Sequence, residues 1–182
     1  MIIGVTGTNG SGKDLVGQML WEKLGWPHFS LSDEIRQIAI EKGLDLSRET
    51  LQTLGNQLRT EHGPDYLSRR ILERAEGNFV ATSIRNPKEC IPFKEHGDFI
   101  LIAVDAPIEM RFERISARGR SDDFAPTLED FKNEETKEMM GGEFDQQLTH
   151  MLEIANYKIV NNTTFDELET KVDNIIKEHI NE

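Results

Sequence analysis

Residues 7–13 carry the pattern of a loop that binds a phosphate chain. They read Gly-Thr-Asn-Gly-Ser-Gly-Lys, directly after the apolar segment Ile2–Thr6 and directly before a helical pattern. Glycines let the backbone adopt positive φ and point successive N–H groups at phosphate oxygens, and the N-terminus of the following helix adds partial positive charge. Lys13, which we expect to be exposed in the nucleotide-free loop, would reach the β- and γ-phosphates. The pattern predicts an ATP site formed by Thr8, Asn9, Gly10, Ser11, Gly12, Lys13 and the following Asp14.

Two positions depart from the usual phosphate-loop arrangement, in which a Ser or Thr after the lysine and an Asp at a strand end hold Mg²⁺. Here the loop supplies Asp14, and the predicted strand at 79–84 supplies Thr82. Because parallel strands end at one rim of a sheet, we expect the two side chains to face one cavity within about 8 Å, which a hydrated Mg²⁺ can bridge. This predicts a Mg²⁺ site with Asp14 as the anionic contact and Thr82 orienting a water. The alternative is that Asp14 only caps the helix.

Five short apolar segments that alternate with longer helical patterns have to position these residues. Such alternation indicates βαβ units and a parallel sheet. The segment Ile100–Val104 is apolar without alternation, which is typical of a central strand covered on both faces. The predicted strands are Ile2–Thr6, His28–Leu31, Phe79–Ile84, Phe99–Asp105 and Tyr157–Val160. The predicted helices cover residues 13–24, 33–43, 47–61, 64–76, 87–95, 106–118, 127–140, 143–154 and 164–179.

Composition and charge limit the class of partner. The formal net charge is −12, so the chain lacks the global positive excess that a nucleic-acid binder needs, and its local arginine group at 111–120 suits a small anionic ligand. The single cysteine, Cys90, fits a reducing compartment. No apolar run approaches the ~18 residues that span a bilayer, and the apolar start lacks the basic region of a signal peptide. We expect a soluble, cytoplasmic monomer or homodimer with a small-molecule substrate and no nucleic-acid or membrane partner.

The tryptophans and histidines receive no functional assignment. Trp21 and Trp26 flank the end of the first predicted helix and are interpreted as packing residues. The five histidines are scattered, and none has a Cys or His at the spacing of metal ligands.

With the phosphate loop placed, the chain resembles the nucleoside monophosphate kinase-like branch of the P-loop kinases, which includes adenylate kinase and dephospho-coenzyme A kinase. The resemblance extends over nearly the whole chain and rests on the phosphate loop, on Ser32–Arg36, on Thr82–Arg85 and on the arginines that follow Asp105. It implies an α/β fold with a doubly wound, five-stranded parallel sheet, in a single domain over residues 1–182. It also implies an acceptor-binding helical insert at about 33–76 and a short lid at about 119–142.

The resemblance also implies an acceptor site. Arg36 and Arg85 would clamp the acceptor's phosphate as bidentate donors, and Arg59 is a weaker third candidate. Asp33 would orient the acceptor or, for a hydroxyl acceptor, act as general base. The alternative is that Asp33 caps its helix and that the arginines are solvated or form structural ion pairs.

The lid arginines are Arg111, Arg114 and Arg118, whose i, i+3, i+7 spacing places them on one face of a predicted helix. By resemblance, Arg114 would cover the ATP base or phosphates, and Arg118 would contact the phosphoryl group in transfer and stabilise its charge. Asn161 lies where relatives contact adenine. The alternative is a charged, solvated helix face. The predicted catalytic residues are Lys13, Arg114, Arg118 and Asp33.

The predicted reaction is transfer of the γ-phosphoryl group of Mg·ATP to a nucleoside or deoxynucleoside monophosphate, by positioning and electrostatics. Two alternatives stay open. Asp33 would activate a ribose hydroxyl if the acceptor were dephospho-coenzyme A, although the turn at Arg85 differs from the one such kinases usually carry. The departures at Asp14 and Thr82 would also suit a nucleotide-binding switch that is not a kinase.

Overall fold

One sheet of five strands organises the computed structural model, which describes residues 1–118, 127–143 and 145–180. The strands are β1 (Ile2–Gly7), β2 (His28–Ser30), β3 (Phe79–Thr82), β4 (Phe99–Asp105) and β5 (Tyr157–Val160). Their order is β2-β3-β1-β4-β5, and every neighbouring pair is parallel. β1 lies at the centre and is buried along its whole length. The predicted five-stranded parallel sheet is therefore confirmed.

Helices cover both faces of this sheet. They are α1 (Lys13–Leu24), α2 (Leu31–Glu41), α3 (Arg48–His62), α4 (Tyr66–Leu72), α5 (Cys90–His96), α6 (Ile108–Arg118), α7 (Leu128–Met139), α8 (Leu148–Ile154) and α9 (Phe165–Ile180). A 3₁₀ turn, Pro87–Glu89, precedes α5. In the described part of the chain, no helix is both long and apolar enough to cross a membrane.

Alternation along the strands divides the core into two apolar clusters. Ile2 packs with residues of α2, α3, α4, α5 and α8 on one face of the sheet. Its neighbour Ile3 packs with residues of α1 and α9 on the other face. The same division separates Phe79 from Val80 on β3. Helices therefore pack on both faces of the sheet, which confirms the doubly wound architecture.

The helices between β2 and β3 form the predicted insert, with shifted boundaries. The Ser30 hydroxyl accepts a hydrogen bond from the backbone N–H of Asp33 at 3.4 Å, so α2 begins at Leu31 and not at the predicted residue 33. α4 ends at Leu72, four residues before the predicted end. Both differences concern capping, which a hydrophobic pattern specifies poorly.

The predicted lid at 119–142 is described only in part. Residues 119–126 lie outside the described residues, and α7 occupies most of the rest. Thr127 caps α7, because its hydroxyl accepts a hydrogen bond from the backbone N–H of Asp130 at 3.1 Å.

Candidate active site

The phosphate loop connects β1 to α1. Gly10 and Gly12 have φ values of 77° and 90°, in the left-handed region that favours glycine. A Cβ atom at Gly12 would lie 2.3 Å from the amide nitrogen of Asn161, so a larger residue does not fit there. No side chain caps the start of α1. The first N–H groups of this helix are the kind of donor that binds a phosphate.

Two residues predicted to belong to the ATP site, Thr8 and Asn161, use their side chains to hold the loop in place. The Thr8 hydroxyl donates to Asp105 Oδ1 at 2.7 Å. The Asn161 amide donates to the carbonyl oxygen of Ser11 at 2.8 Å. These bonds fix the loop against the ends of β4 and β5, so Thr8 and Asn161 shape the phosphate site through the backbone. ATP binding by Thr8 and Asn161, through backbone groups in the case of Asn161, stays a prediction.

Lys13 is buried, with 6% of the residue exposed. The expectation of an exposed lysine is wrong, because the side chain lies in the wall of a cavity. Burial is the main cause that lowers the pKa of Lys13 to about 8, and the nearby Arg85 and Arg118 lower it further. Asp14, whose Oδ1 lies 3.8 Å from the Lys13 Nζ, and Glu138 act in the opposite direction.

A cavity of about 460 Å³ lies between the phosphate loop, α1, the insert, the end of β3 and α7. It opens at the carboxyl ends of β1, β2 and β3, where ligands of open α/β sheets bind. The predicted site residues that line it are Asn9, Lys13, Asp14, Asp33, Arg36, Arg59, Thr82, Arg85 and Arg118. The predicted residues outside this lining are Thr8, Gly10, Ser11, Gly12, Arg114 and Asn161.

The two predicted acceptor clamps, Arg36 and Arg85, reach this cavity from different elements. Arg36 Nη1 lies 2.9 Å from Asp33 Oδ1, one turn earlier on α2. Arg85, beyond the end of β3, donates to Gln146 Oε1 at 2.7 Å and to Glu138 Oε2 at 3.3 Å. Guanidinium groups therefore line the cavity both on the side of the insert and at the end of the sheet. Lys13 lines the same cavity.

Arg59 has a structural partner. Its Nε donates to Glu89 Oε1 at 2.9 Å, and its Nη1 donates to Asn56 Oδ1 at 3.2 Å. Both Arg59 and Glu89 are buried. Glu89 also accepts the backbone N–H of Arg85 at 2.7 Å, so this ion pair supports the turn that carries Arg85. Acceptor binding by Arg59 itself stays a prediction.

Glu138 on α7 is a cavity residue that sequence reasoning missed. Only 5% of it is exposed, and its carboxylate accepts from Arg48 Nη2 at 2.6 Å and from Gln52 Nε2 at 2.5 Å. Burial alone would raise the pKa of Glu138, but Arg85, Arg48 and Lys13 outweigh burial and lower it. The lid helix thus places an ionised carboxylate among the cations of the cavity.

The three lid arginines do not share one environment. Arg111 is buried and forms an ion pair with Glu135 of α7. Arg114 donates to the carbonyl oxygens of Gly10 at 3.4 Å and Asn161 at 3.0 Å, which places it over the outer edge of the phosphate loop. Arg118 lines the cavity and acts on the pKa of Lys13. The spacing of these arginines places them on one face of α6, but each of them makes a different contact.

Asp14 and Thr82 both line the cavity. Their approach within about 8 Å around a Mg²⁺ stays a prediction. The Thr82 hydroxyl lies 2.8 Å from His28 Nε2, and the His28 ring packs against Trp21 with ring centroids 4.2 Å apart. Sequence reasoning left His28 and Trp21 without a role. Over the described residues, no group of three or more His, Cys, Asp or Glu residues is arranged to hold a metal. A Mg²⁺ site would therefore use few protein ligands.

Comparisons with known proteins agree with this geometry. Residues 6–129 match the family described as AAA domain. The chain is 32% identical to a UPF0200 protein of Thermococcus kodakarensis, over 99% of this chain and 98% of that protein. It is 29% identical to a UPF0200 protein of Methanocaldococcus jannaschii, over 100% of this chain and 91% of that protein.

Solved structures with a similar fold include shikimate kinase from Aquifex aeolicus, with a TM-score of 0.54, 19% identity and coverage of 98% of this chain and 97% of that chain. A Thermus thermophilus protein gives a TM-score of 0.63 at 22% identity, with the same coverage. At these identities the likeness concerns the fold, which agrees with the resemblance to P-loop kinases. The chain belongs to the UPF0200 family, and it has the AAA domain with a P-loop kinase fold.

Proposed function

We propose that this protein is an ATP-dependent kinase that transfers the γ-phosphoryl group to a nucleoside or deoxynucleoside monophosphate. The observation that carries the proposal is the shared cavity, in which Lys13 of the phosphate loop lies with Arg36 and Arg85. A kinase has to bring a donor phosphate and an acceptor together in one space from which water is excluded. A cavity of about 460 Å³ is within the range of small-molecule sites.

On the donor side, the backbone of the phosphate loop and Lys13 would hold the β- and γ-phosphates. Arg118 would act on the phosphoryl group in transfer, because it lies in the same cavity and close enough to Lys13 to affect its pKa. Arg114 would cover the nucleotide from the edge of the loop. Charge on the equatorial oxygens of the transferred group is stabilised by such fixed cations.

The residues at the predicted Mg²⁺ position fit an ion that keeps most of its waters and has few protein ligands. The Asp14 side chain is 61% exposed and lies at the cavity, which suits a carboxylate that contacts a hydrated cation. The Thr82 hydroxyl, held by His28, would orient a water. Mg²⁺ usually keeps several waters and takes one or two protein oxygens together with substrate phosphates. Bound there, it would neutralise charge on the β- and γ-phosphates.

On the acceptor side, Arg36 and Arg85 would bind the acceptor phosphate. Each already has a carboxylate neighbour, Asp33 for Arg36 and Glu138 for Arg85. An incoming phosphate dianion is a stronger partner for a guanidinium group than a single carboxylate, and both pairs are close enough to the cavity to exchange partners. Asp33 would then be released to orient the acceptor.

A second candidate is transfer to a hydroxyl group. The observation that favours it is the position of Asp33, a cavity residue whose side chain is 66% exposed and which would serve as general base. Dephospho-coenzyme A presents such a hydroxyl. Shikimate belongs in the same test, because a shikimate kinase is among the proteins of similar fold.

The test is an ADP-release assay with Mg·ATP across all ribo- and deoxynucleoside monophosphates, dephospho-coenzyme A and shikimate. We expect turnover with one or more nucleoside monophosphates and none with the Lys13→Met variant. Arg85→Ala should raise the KM of the acceptor about ten- to a hundredfold, with little change in the KM of ATP. Turnover with only a hydroxyl acceptor would favour the second candidate. ADP release that no acceptor stimulates would contradict both and favour a nucleotide-binding switch.

A further inference from the structure

Trp21 and His28 form an aromatic wall in the cavity. Both residues line it, and both are partly exposed. Their ring centroids lie 4.2 Å apart, and the ring planes are inclined by 36°. Neither residue belongs to the phosphate loop or to the acceptor clamps. The phosphate chemistry of the cavity therefore leaves this wall unexplained.

The fold fixes the wall from two sides. Asp14, Gln18 and Trp21 line the cavity at i, i+4 and i+7 of α1, so the tryptophan continues the helix face that starts at the phosphate loop. Trp21 also packs against the apolar core between α1 and the sheet. His28 is held by the Thr82 hydroxyl at 2.8 Å. Two rings fixed by independent contacts form a rigid surface.

The electrostatic character of the wall differs from that of the cationic part of the cavity. Arg85 and Arg118 line the cavity with Lys13, and both are close enough to it to lower its pKa. The Trp21 indole carries no charge. Because the two ring centroids are only 4.2 Å apart, the rings partly cover each other, so the wall offers one uncharged π face beside the anion-binding cations.

We propose that the wall of Trp21 and His28 stacks the base of the acceptor nucleotide, and that it selects acceptors that carry a planar heteroaromatic ring together with a phosphate. This inference rests on the proposed function. Aromatic side chains stack on any base, because every base has a π face. Leu15, Ile35 and Leu51 also line the cavity and supply apolar surface. Gln18 supplies a hydrogen-bonding group at the edge of the wall.

The chain offers a direct reporter for this contact, because it has two tryptophans and only Trp21 lines the cavity. In the Trp26→Phe variant, Trp21 is the single source of tryptophan fluorescence. We would titrate this variant, without ATP, with each nucleoside monophosphate and with ribose 5-phosphate, which has the phosphate and no base. Binding of each compound would be measured in parallel by calorimetry. We expect a nucleoside monophosphate to quench Trp21 emission, and ribose 5-phosphate to leave it nearly unchanged.

Substitutions then test the energetic role. Trp21→Leu should weaken nucleoside monophosphate binding about ten- to a hundredfold, as expected for loss of one stacking partner. It should change the affinities for ribose 5-phosphate and ATP little. Trp21→Phe keeps a ring and should retain most of the affinity for nucleoside monophosphates. If the leucine variant folds poorly, the phenylalanine variant still allows the effect of the ring at this position to be measured. Trp26→Leu is the matched control, with unchanged nucleotide affinity.

The outcomes separate this inference from the function on which it rests. A nucleoside monophosphate that binds and is phosphorylated, while Trp21 emission and the Trp21→Leu affinity stay unchanged, overturns the stacking wall and leaves the kinase proposal standing. A nucleoside monophosphate that quenches Trp21 and is never phosphorylated supports the wall and contradicts the kinase proposal. If no nucleoside monophosphate binds at all, both are wrong.

Discussion

Lys13, at the end of the phosphate loop, is buried, which is unusual for a lysine. Its pKa is lowered to about 8, chiefly by burial, whereas the unfolded chain would have the ordinary value of 10.5. Between these two values the unfolded chain binds more protons, so the folded state gains stability as the pH rises from 8 to 10.5. Below pH 8 the buried ammonium group is charged and its burial costs stability. A bound triphosphate adds negative charge to that of Asp14 and Glu138, and it should raise the pKa of Lys13 again.

The first prediction follows from this restored pKa. ATP binding at pH 8 should be accompanied by uptake of about half a proton, since roughly half of the Lys13 side chains are neutral before binding. At pH 6.5 the same residue is already protonated and should take up none. Calorimetry in buffers with different ionisation enthalpies measures the number of protons taken up for each ATP bound. The Lys13→Met variant should lose the pH 8 uptake, and Lys42→Met, at an exposed position, should keep it. Equal uptake at both pH values would contradict the buried lysine.

Ser83 has a backbone conformation that favours glycine. Its φ is 63°, and it follows Thr82 at the end of β3. A non-glycine residue in the left-handed region costs roughly 1–2 kcal/mol, and such strain often lies at functional sites. Here it lies in the turn that leads to Arg85.

The second prediction concerns this strain. Ser83→Gly should leave the free energy of unfolding within about 1 kcal/mol of the parent, because relief of strain and the greater freedom of unfolded glycine offset each other. Ser83→Val should lower it by about 1–3 kcal/mol, because a β-branched side chain tolerates this φ poorly. Denaturant titration measures both. A valine variant as stable as the glycine variant would show that the turn is unstrained.

At the scale of elements, α7 contacts α3 of the insert and the turn after β3. Glu138 accepts from Arg48 and Gln52 on α3, and it lies 3.3 Å from Arg85. These cations hold the pKa of Glu138 below its usual 4.5 despite burial, so its stabilising effect is present above that pH and is lost on acidification. The carboxylate occupies the space in which Arg85 would bind an acceptor phosphate.

The third prediction is that Glu138→Gln binds phosphate ions more tightly, because the incoming anion no longer competes with a carboxylate. We expect about a tenfold gain in the affinity for inorganic phosphate, together with a loss of about 1–3 kcal/mol of stability from the uncompensated arginines. Glu134→Gln is the matched control, since Glu134 also lies on α7 and pairs with Arg48 but does not line the cavity. Its phosphate affinity should be unchanged. Weaker phosphate binding by Glu138→Gln would mean that Glu138 positions the arginines and does not compete for them.

At the scale of the whole molecule, the pattern of the strands was predictable and the lining of the cavity was not. All five strands follow from short apolar runs, and β4 and β5 have the predicted bounds. For β4, burial on both faces leaves a strong local signal, whereas in the edge strand β5 only Ile159 is buried. Glu138 and Trp21 were missed because their partners are distant or their positions look like packing. Glu138 meets Arg48 across 90 residues, and no local pattern reports such a contact. Burial of Lys13 depends on the same long-range assembly.

The buried pair of Arg59 and Glu89 connects the insert to the body of the protein. Arg59 lies on α3, whereas Glu89 lies in the turn after β3 and is fully buried. Glu89 accepts the Arg59 guanidinium and the backbone N–H groups of Arg85 and Asn86. Loss of Arg59 would leave this carboxylate buried without its cation. Removal of one member of a buried ion pair leaves the other charge buried without a partner, and this costs more free energy than formation of the pair gains. The stability of the whole chain therefore depends on both residues.

The fourth prediction is that Arg59→Met lowers the free energy of unfolding by about 3–5 kcal/mol, a large part of the total stability of a typical domain. Arg59→Lys keeps the charge and loses the forked geometry, so it should lose less and remain folded for kinetics. Arg36→Ala is the control, because its ion pair is exposed and should contribute at most about 1 kcal/mol. If Arg59 also binds the acceptor, Arg59→Lys will raise the acceptor KM as Arg36→Ala does. A methionine variant within about 1 kcal/mol of the parent would show that Glu89 finds other partners, and that the insert is held by its apolar contacts alone.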